Sequence, residues 1–210
     1  MAAATLLLRL EGPLQAWGDP SKFVIRRTME APTKSGVLGM ICSAEGLTRE
    51  EARARLPALN ELRMGVRIDR PGARWWDYHT VGAGIGLLTA EGEIKKTAST
   101  GEIETLVTRR EYLADASFLV ALRGEAELVR EVHAALDAPR RPLFLGRKCC
   151  QPALPILERA WERNGATVGP LLDDESILEE ALARPPWRAR VEHGPDKAPS
   201  GPLDCLVEWN

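Results

Sequence analysis

Residues Asp115–Leu122 form an almost wholly apolar run, with Phe118, Leu119 and Val120 at its centre. The run is far short of the roughly 18–20 residues that cross a membrane. Its length and composition are those of a central strand. The segments around it carry compatible patterns. Ala4–Glu11 reads as a strand with Leu6, Leu8 and Leu10 on one face and Leu7 and Arg9 on the other. Leu62–Asp69 alternates: Leu62, Met64, Val66 and Ile68 face a core, while Arg63, Gly65, Arg67 and Asp69 face outward. Ser35–Leu47 reads as a helix of small and apolar residues. Thr48 opens a second short helix, because Thr48 and Glu51 have the spacing of a capping box. Glu125–Asp137 is amphipathic, with Leu128, Val129, Val132, Ala135 and Leu136 on one face.

Pro142–Gly146 reads as a short fourth strand, and residues 70–110, with scattered glycines and short alternating runs, as an extended hairpin excursion. The order is then β-α-β-(hairpin)-β-α-β over residues 1–147, the pattern of an α+β, ferredoxin-like (RRM-like) core. The open face of such a sheet is a common RNA platform. Residues 148–210 read as a small C-terminal α/β appendage. It holds a Pro-bounded segment around Pro152–Asn164, an acidic helix at Asp173–Ala183 and a closing strand at Leu203–Trp209. Asp173, Asp174 and Glu175 suit the positive end of that helix. Pro185 and Pro186 stop it.

The 210 residues correspond to one domain, or one domain with an appendage. The formal net charge of −2 and pI near 6.0 argue against a nucleic-acid binder on bulk charge. The local distribution differs. Lys22, Arg26, Arg27 and Lys34 stand against Glu30 between Pro20 and Met40. Arg140, Arg141, Arg147 and Lys148 stand unopposed between Pro139 and Gln151. Two such clusters suit a phosphate backbone. The start of the chain has no positive region before its apolar stretch and reads as a strand, so no signal peptide is expected. Cys42, Cys149, Cys150 and Cys205 form no C-x-x-C pair and are expected as reduced cytoplasmic thiols, with no metal site and no cofactor.

Three motifs invite chemistry. Pro32-Thr33-Lys34-Ser35-Gly36 precedes a helix, where backbone donors attract phosphate. It is not a Walker A loop, which would need glycines at Thr28 and Thr33. Gly82-Ala-Gly84-Ile-Gly86 lacks the strand–helix context of a dinucleotide fingerprint and suits a hairpin arm. Trp75-Trp76-Asp77-Tyr78-His79-Thr80 sets aromatics beside a histidine. It reads either as a base-stacking segment or as core packing of the Trp pair. Tyr78 and His79 also offer an acid–base pair for RNA cleavage, with Lys95 or Lys96 stabilising the charged phosphorane. His133 and His193 have no evident partner.

Five motifs occur in order: Gly12-Pro-Leu-Gln-Ala-Trp-Gly18, Pro32-Thr-Lys-Ser-Gly-Val-Leu-Gly39, Asp77-Tyr-His-Thr-Val81, Arg110-Glu-Tyr-Leu-Ala-Asp-Ala-Ser-Phe118 and Phe144-Leu-Gly-Arg-Lys-Cys-Cys150. Together they resemble the RAMP-superfamily subunits that hold the 5′ handle of the CRISPR RNA in type I-E CRISPR surveillance complexes (Cascade). The resemblance implies a ferredoxin-like core with a protruding hairpin thumb at about 70–110. It implies a non-catalytic, cytoplasmic RNA-binding subunit in antiviral defence that caps a filament of backbone subunits. It further implies docking of the large PAM-recognising subunit, target DNA met only through the assembled complex, and no membrane contact. In type I-C systems a relative cuts repeat RNA with Tyr, Lys and His. Here Tyr78 and His79 are adjacent and no Lys–His pair exists, so a metal-independent endoribonuclease is the alternative. The resemblance places RNA contacts at Gln15, Trp17, Ser21, Arg26, Arg27, Lys34, Ser35, His79, Thr80, Arg109, Arg110, Tyr112, Gly146, Arg147 and Lys148. Among these, Trp17 and Tyr112 are the expected stacking faces, and Gly146 the point of close backbone approach.

Overall fold

The computed structural model describes residues 2–18, 21, 24–82, 85–89, 92–97, 100–103, 105–172, 178–183, 185 and 205–207. The elements run β1 (Ala3–Glu11), β2 (Leu14–Gln15), β3 (Ile25–Arg26), α1 (Lys34–Ala44), α2 (Arg49–Asn60), β4 (Arg63–Arg70), β5 (Ala73–Val81), β6 (Leu106–Ala114), β7 (Ser117–Glu125) and α3 (Ala126–Asp137). They continue with β8 (Trp161–Arg163), β9 (Ala166–Val168), β10 (Leu171–Leu172), α4 (Leu178–Ala183) and β11 (Cys205–Val207). Among the described residues no helix is long and apolar enough to cross a membrane. The expected acidic residues Asp173, Asp174 and Glu175, together with Lys22, Pro186, Trp187 and His193, lie outside the described residues.

The apolar run is the central strand β7. It pairs antiparallel with β1 in register from Ala3↔Glu125 to Glu11↔Ser117, and with β4 on its other side. The sheet order is β10-β1-β7-β4-β11. Leu6, Leu8 and Leu10 of β1 and Phe118, Val120 and Leu122 of β7 point to one side. There they meet Val37, Leu38 and Ile41 of α1 and Val129, Val132 and Leu136 of α3. The helix starts follow the sequence. Thr33 caps α1 by accepting from Gly36 N, and Thr48 and Glu51 close the capping box of α2 in both directions.

Two expectations are corrected here. Pro142–Gly146 is not a strand. Gly146 takes φ +94°, and Leu145 N donates to Cys150 O at 2.7 Å, which closes the segment into a loop. Ala16 N donates to Leu145 O and ties that loop to the end of β2. The free edge of β1 is paired instead by Ile156–Glu158, through Arg9 N→Ile156 O and Glu158 N→Leu7 O, and then by β10.

The second correction is that the other sheet face is not open. Leu7, Leu119 and Ala121 pack under Trp161, Leu172, Leu178, Ala181 and Leu182. Arg67 and Asp69, expected to face outward, are buried on that face together with Arg9. Arg9 reaches Glu158 Oε2 (2.7 Å) and Asp69 Oδ2 (2.5 Å), and Arg67 holds Asp69 Oδ1 at 2.6 Å. Arg67 Nη1 also donates to the carbonyls of Leu182 and Pro185. The alternation was real, but these charges meet each other and α4 rather than water. The segment after residue 147, expected as an appendage, supplies both edge strands and this cover.

Candidate nucleic-acid interface

A second sheet is built around β6. β5 pairs with β6 antiparallel from Ala73↔Ala114 to Val81↔Leu106, making the expected hairpin excursion a regular two-stranded arm over its paired length. On the other edge of β6 the short β3 pairs parallel, Ile25↔Arg109 and Arg26↔Arg110, and β2 follows with Gln15↔Leu113. This pairing brings the first basic segment of the sequence beside β6. Partners in register share a face and neighbours alternate. One face therefore carries Trp76, Tyr78, Arg109, Glu111, Ile25 and Arg27. The other carries Trp75, Asp77, His79, Arg110, Tyr112 and Arg26.

On the first face Ile25, Arg27, Trp76, Asp77, Tyr78 and Arg109 line a cleft of about 300 Å³. Trp76 is 46% exposed and Tyr78 65%. Two solvated aromatic rings sharing a cleft with two guanidinium groups offer stacking for a base and charge for its phosphates. Glu111 is buried at the edge of this face. It accepts from Thr28 N (3.2 Å) and from Arg74 Nη1 (2.7 Å), which fixes the strap after β3.

On the opposite face Arg147 lies over the Tyr112 ring, its guanidinium carbon 4.7 Å from the centroid. Its Nη1 donates to Glu111 O (2.8 Å) and its Nη2 to Arg26 O (3.0 Å) and Arg27 O (3.1 Å). Tyr112 is buried, also meets the Trp75 ring at 5.9 Å, and hydrogen-bonds with Cys149 Sγ at 3.5 Å. Burial, with Cys149 beside it, raises the Tyr112 phenol above its ordinary value. Burial likewise pushes the neighbouring Cys150 thiol up to about 12.

Several expected contacts change role. Trp17 is 1% exposed and belongs to the core; its indole N–H donates to Gln15 Oε1. Gln15 is fully buried and spends its Nε2 on Leu10 O and Ala116 O. Both side chains are spent inside the fold, and Tyr112 has its ring covered. The exposed rings of this surface are Trp76 and Tyr78, and core packing of the Trp75–Trp76 pair is corrected: Trp75 is 47% exposed and Trp76 46%. At Gly146 the close approach is to the chain itself, since a Cβ there would run into the carbonyl oxygen of Ala16.

Arg26, Arg27, Arg109, Arg110 and Arg147 converge on the β3–β6 edge. Ser21 accepts from Arg27 N, and Lys148 is exposed in the loop after Arg147. His79 and Thr80 lie further along β5, with His79 Nδ1 3.7 Å from Asp77 Oδ2. Lys34 and Ser35 sit elsewhere: Lys34 Nζ donates to Asn60 O, and Ser35 lines a groove between α1 and α2. Tyr78 and His79, adjacent on one strand, face opposite sides of the sheet. Ile25, Trp76, Asp77 and Tyr78 line the cleft and were not among the expected RNA contacts. The i, i+2 spacing of Trp76 and Tyr78 was the available signal.

Residues 5–202 match the family described as CRISPR-associated protein (Cas_Cas5). The chain is 37% identical over 165 residues to "CRISPR system Cascade subunit CasD" of Escherichia coli (strain K12), covering 72% of this chain and 68% of that one. A chain of a solved "CRISPR RNA-guided surveillance complex" is 38% identical with a TM-score of 0.60, over 72% of this chain and 61% of that chain. The structure titled "Crystal structure of Cas protein" is 37% identical with a TM-score of 0.55, over 85% and 69%. The chain thus spans less than two thirds of the matched surveillance-complex chain.

Proposed function

The chain belongs to the CRISPR-associated Cas5 family, and from that premise we propose that it is a non-catalytic CRISPR RNA-binding subunit of a type I-E Cascade. In this reading it holds the 5′ handle and caps the filament of backbone subunits. It docks the large PAM-recognising subunit and meets target DNA only within the complex, in the cytoplasm. The observation that carries the reading is the β3–β6–β5 surface, where Trp76 and Tyr78 of β5 line one cleft with Arg109 of β6 and Arg27 after β3. A single-stranded hook presents splayed bases and exposed phosphates, and this surface offers one partner for each.

The order β10-β1-β7-β4 supports a ferredoxin-like core, with β10 in the fourth-strand position beside β1. We read the β5–β6 arm as the thumb and residues 1–147 as most of the core, with its edge strands and the cover of its second face supplied by described parts of residues 148–210. Catalysis is disfavoured because the strand's alternation separates Tyr78 from His79, so the two cannot flank one phosphate.

The test is reconstitution. Cascade assembled with this chain retains CRISPR RNA through purification. The Arg27→Ala/Arg109→Ala pair should release it at lower salt. Unchanged RNA retention by that pair rejects this surface as the handle site.

A further inference from the structure

We propose that Arg147 is a positioning residue for the RNA surface and not itself a phosphate ligand. The inference rests on the RNA-binding reading above and specifies how its surface is held.

β3 is only two residues long, and its ladder to β6 consists of Ile25↔Arg109 and Arg26↔Arg110. So short a parallel pair does not fix its own register. The Arg147 fork supplies what is missing. It crosses from the 144–150 loop and donates to one carbonyl of β6, Glu111 O, and two of the β3 strap, Arg26 O and Arg27 O. Its plane rests on Tyr112, which is itself buried in the core. The geometry needs a planar cation with several fixed donors; an ammonium on a flexible stem cannot span three carbonyls on two strands while stacked on a ring. The loop end is anchored too, since Ala16 N donates to Leu145 O and Gly146 sits against Ala16. Arg147 therefore sets where Arg26 and Arg27 stand relative to Arg109 and the cleft.

The discriminating variant is Arg147→Lys, which keeps the charge and removes the fork. In assembled Cascade, Arg147→Lys should lose RNA affinity nearly as far as Arg147→Ala, about tenfold or more, as expected for lost hydrogen bonds to a charged group. In the full-length chain without RNA, amide exchange at Arg27, Thr28 and Arg109 should quicken in Arg147→Lys, while β1 and β7 amides stay protected. Protected β1 and β7 amides exclude general unfolding as the cause. Near-parent RNA affinity in Arg147→Lys combined with loss in Arg147→Ala would mark Arg147 as a direct charge ligand and overturn the proposal. Unchanged exchange at Arg27 and Thr28 would overturn it as well. Failure of the underlying RNA reading looks different: the Arg27→Ala/Arg109→Ala pair keeps its RNA, while the exchange experiment still judges the clamp.

Discussion

The indole N–H of Trp17 donates to the amide oxygen of Gln15 at 3.1 Å, and the Gln15 amide nitrogen donates to Leu10 O and Ala116 O. One glutamine thereby ties β2 to β1 and to the start of β7, and orients a buried indole under α1. The loop motif that holds both residues spends these two side chains inside the fold.

Replacing Trp17 with Ala should therefore destabilise the chain by about 3–5 kcal/mol, the usual cost of emptying a large aromatic site. Trp76→Ala, on an exposed ring, should change stability by less than about 0.5 kcal/mol yet lower RNA retention. Denaturant unfolding of the two variants side by side checks both halves. Equal stability losses would contradict the division between core and surface tryptophans.

Arg9 joins Asp69 and Glu158 on the covered sheet face. Arg9→Met should cost about 3–5 kcal/mol, because it takes a guanidinium away from two buried carboxylates, Asp69 keeping Arg67. Adding Glu158→Leu to Arg9→Met should recover part of that loss, since one of the two buried carboxylates is then gone. Unfolding midpoints of the single and double variants report this. A double variant less stable than the single would show that the other bonds of Glu158, such as the one it accepts from Arg159 N, outweigh the cost of its buried charge.

Cys150 is held protonated by burial, its thiol pushed up to about 12 with Cys149 beside it. The folded value exceeds the unfolded one, so the protonated thiol favours the fold at neutral pH. That contribution is lost as pH rises from about 9 toward about 12. In the native chain at pH 8, iodoacetamide should label exposed Cys149 well before Cys150. Mass spectrometry of the peptide holding both residues locates the label. Equal labelling rates would mean that the 144–150 loop opens readily.

Much of the core was legible in the sequence, for a physical reason. Leu6, Leu8 and Leu10, the alternation at Met64 and Val66, and the apolar face of Val129, Val132 and Leu136 each report burial through local periodicity. Arg67 and Asp69 misled because charge on an alternating strand signals solvent, and Arg9 beside Leu7 did not show what covers their face. Their partners, Glu158 and the carbonyls of Leu182 and Pro185, come from distant segments that no local pattern links to them. The site was legible as charge. Arg27 and Arg109 were foreseen, yet their meeting depends on a two-residue parallel pairing too short to leave a sequence signal. Trp17 was read as a surface stacking ring, and the Trp75–Trp76 pair was left between base stacking and core packing, because an aromatic side chain does not announce which side of a sheet is covered.

Tyr78 and His79 face opposite sides of β5, so no acid–base pair spans one phosphate there. Labelled repeat RNA incubated with the chain in EDTA should stay intact, and His79→Ala should behave as the parent. A specific product that disappears in His79→Ala would restore the endoribonuclease reading.

The salt dependence of CRISPR RNA retention tests the central claim most directly. In assembled Cascade, log affinity should fall linearly with log salt, and each phosphate contact on a single strand contributes a slope of about 0.7. Arg109→Ala should flatten the slope by about that amount. Trp76→Ala should weaken retention at every salt concentration while leaving the slope unchanged, because stacking releases no counterions. Parent-like slope and affinity in both variants would contradict the assignment of the β3–β6–β5 surface to the RNA.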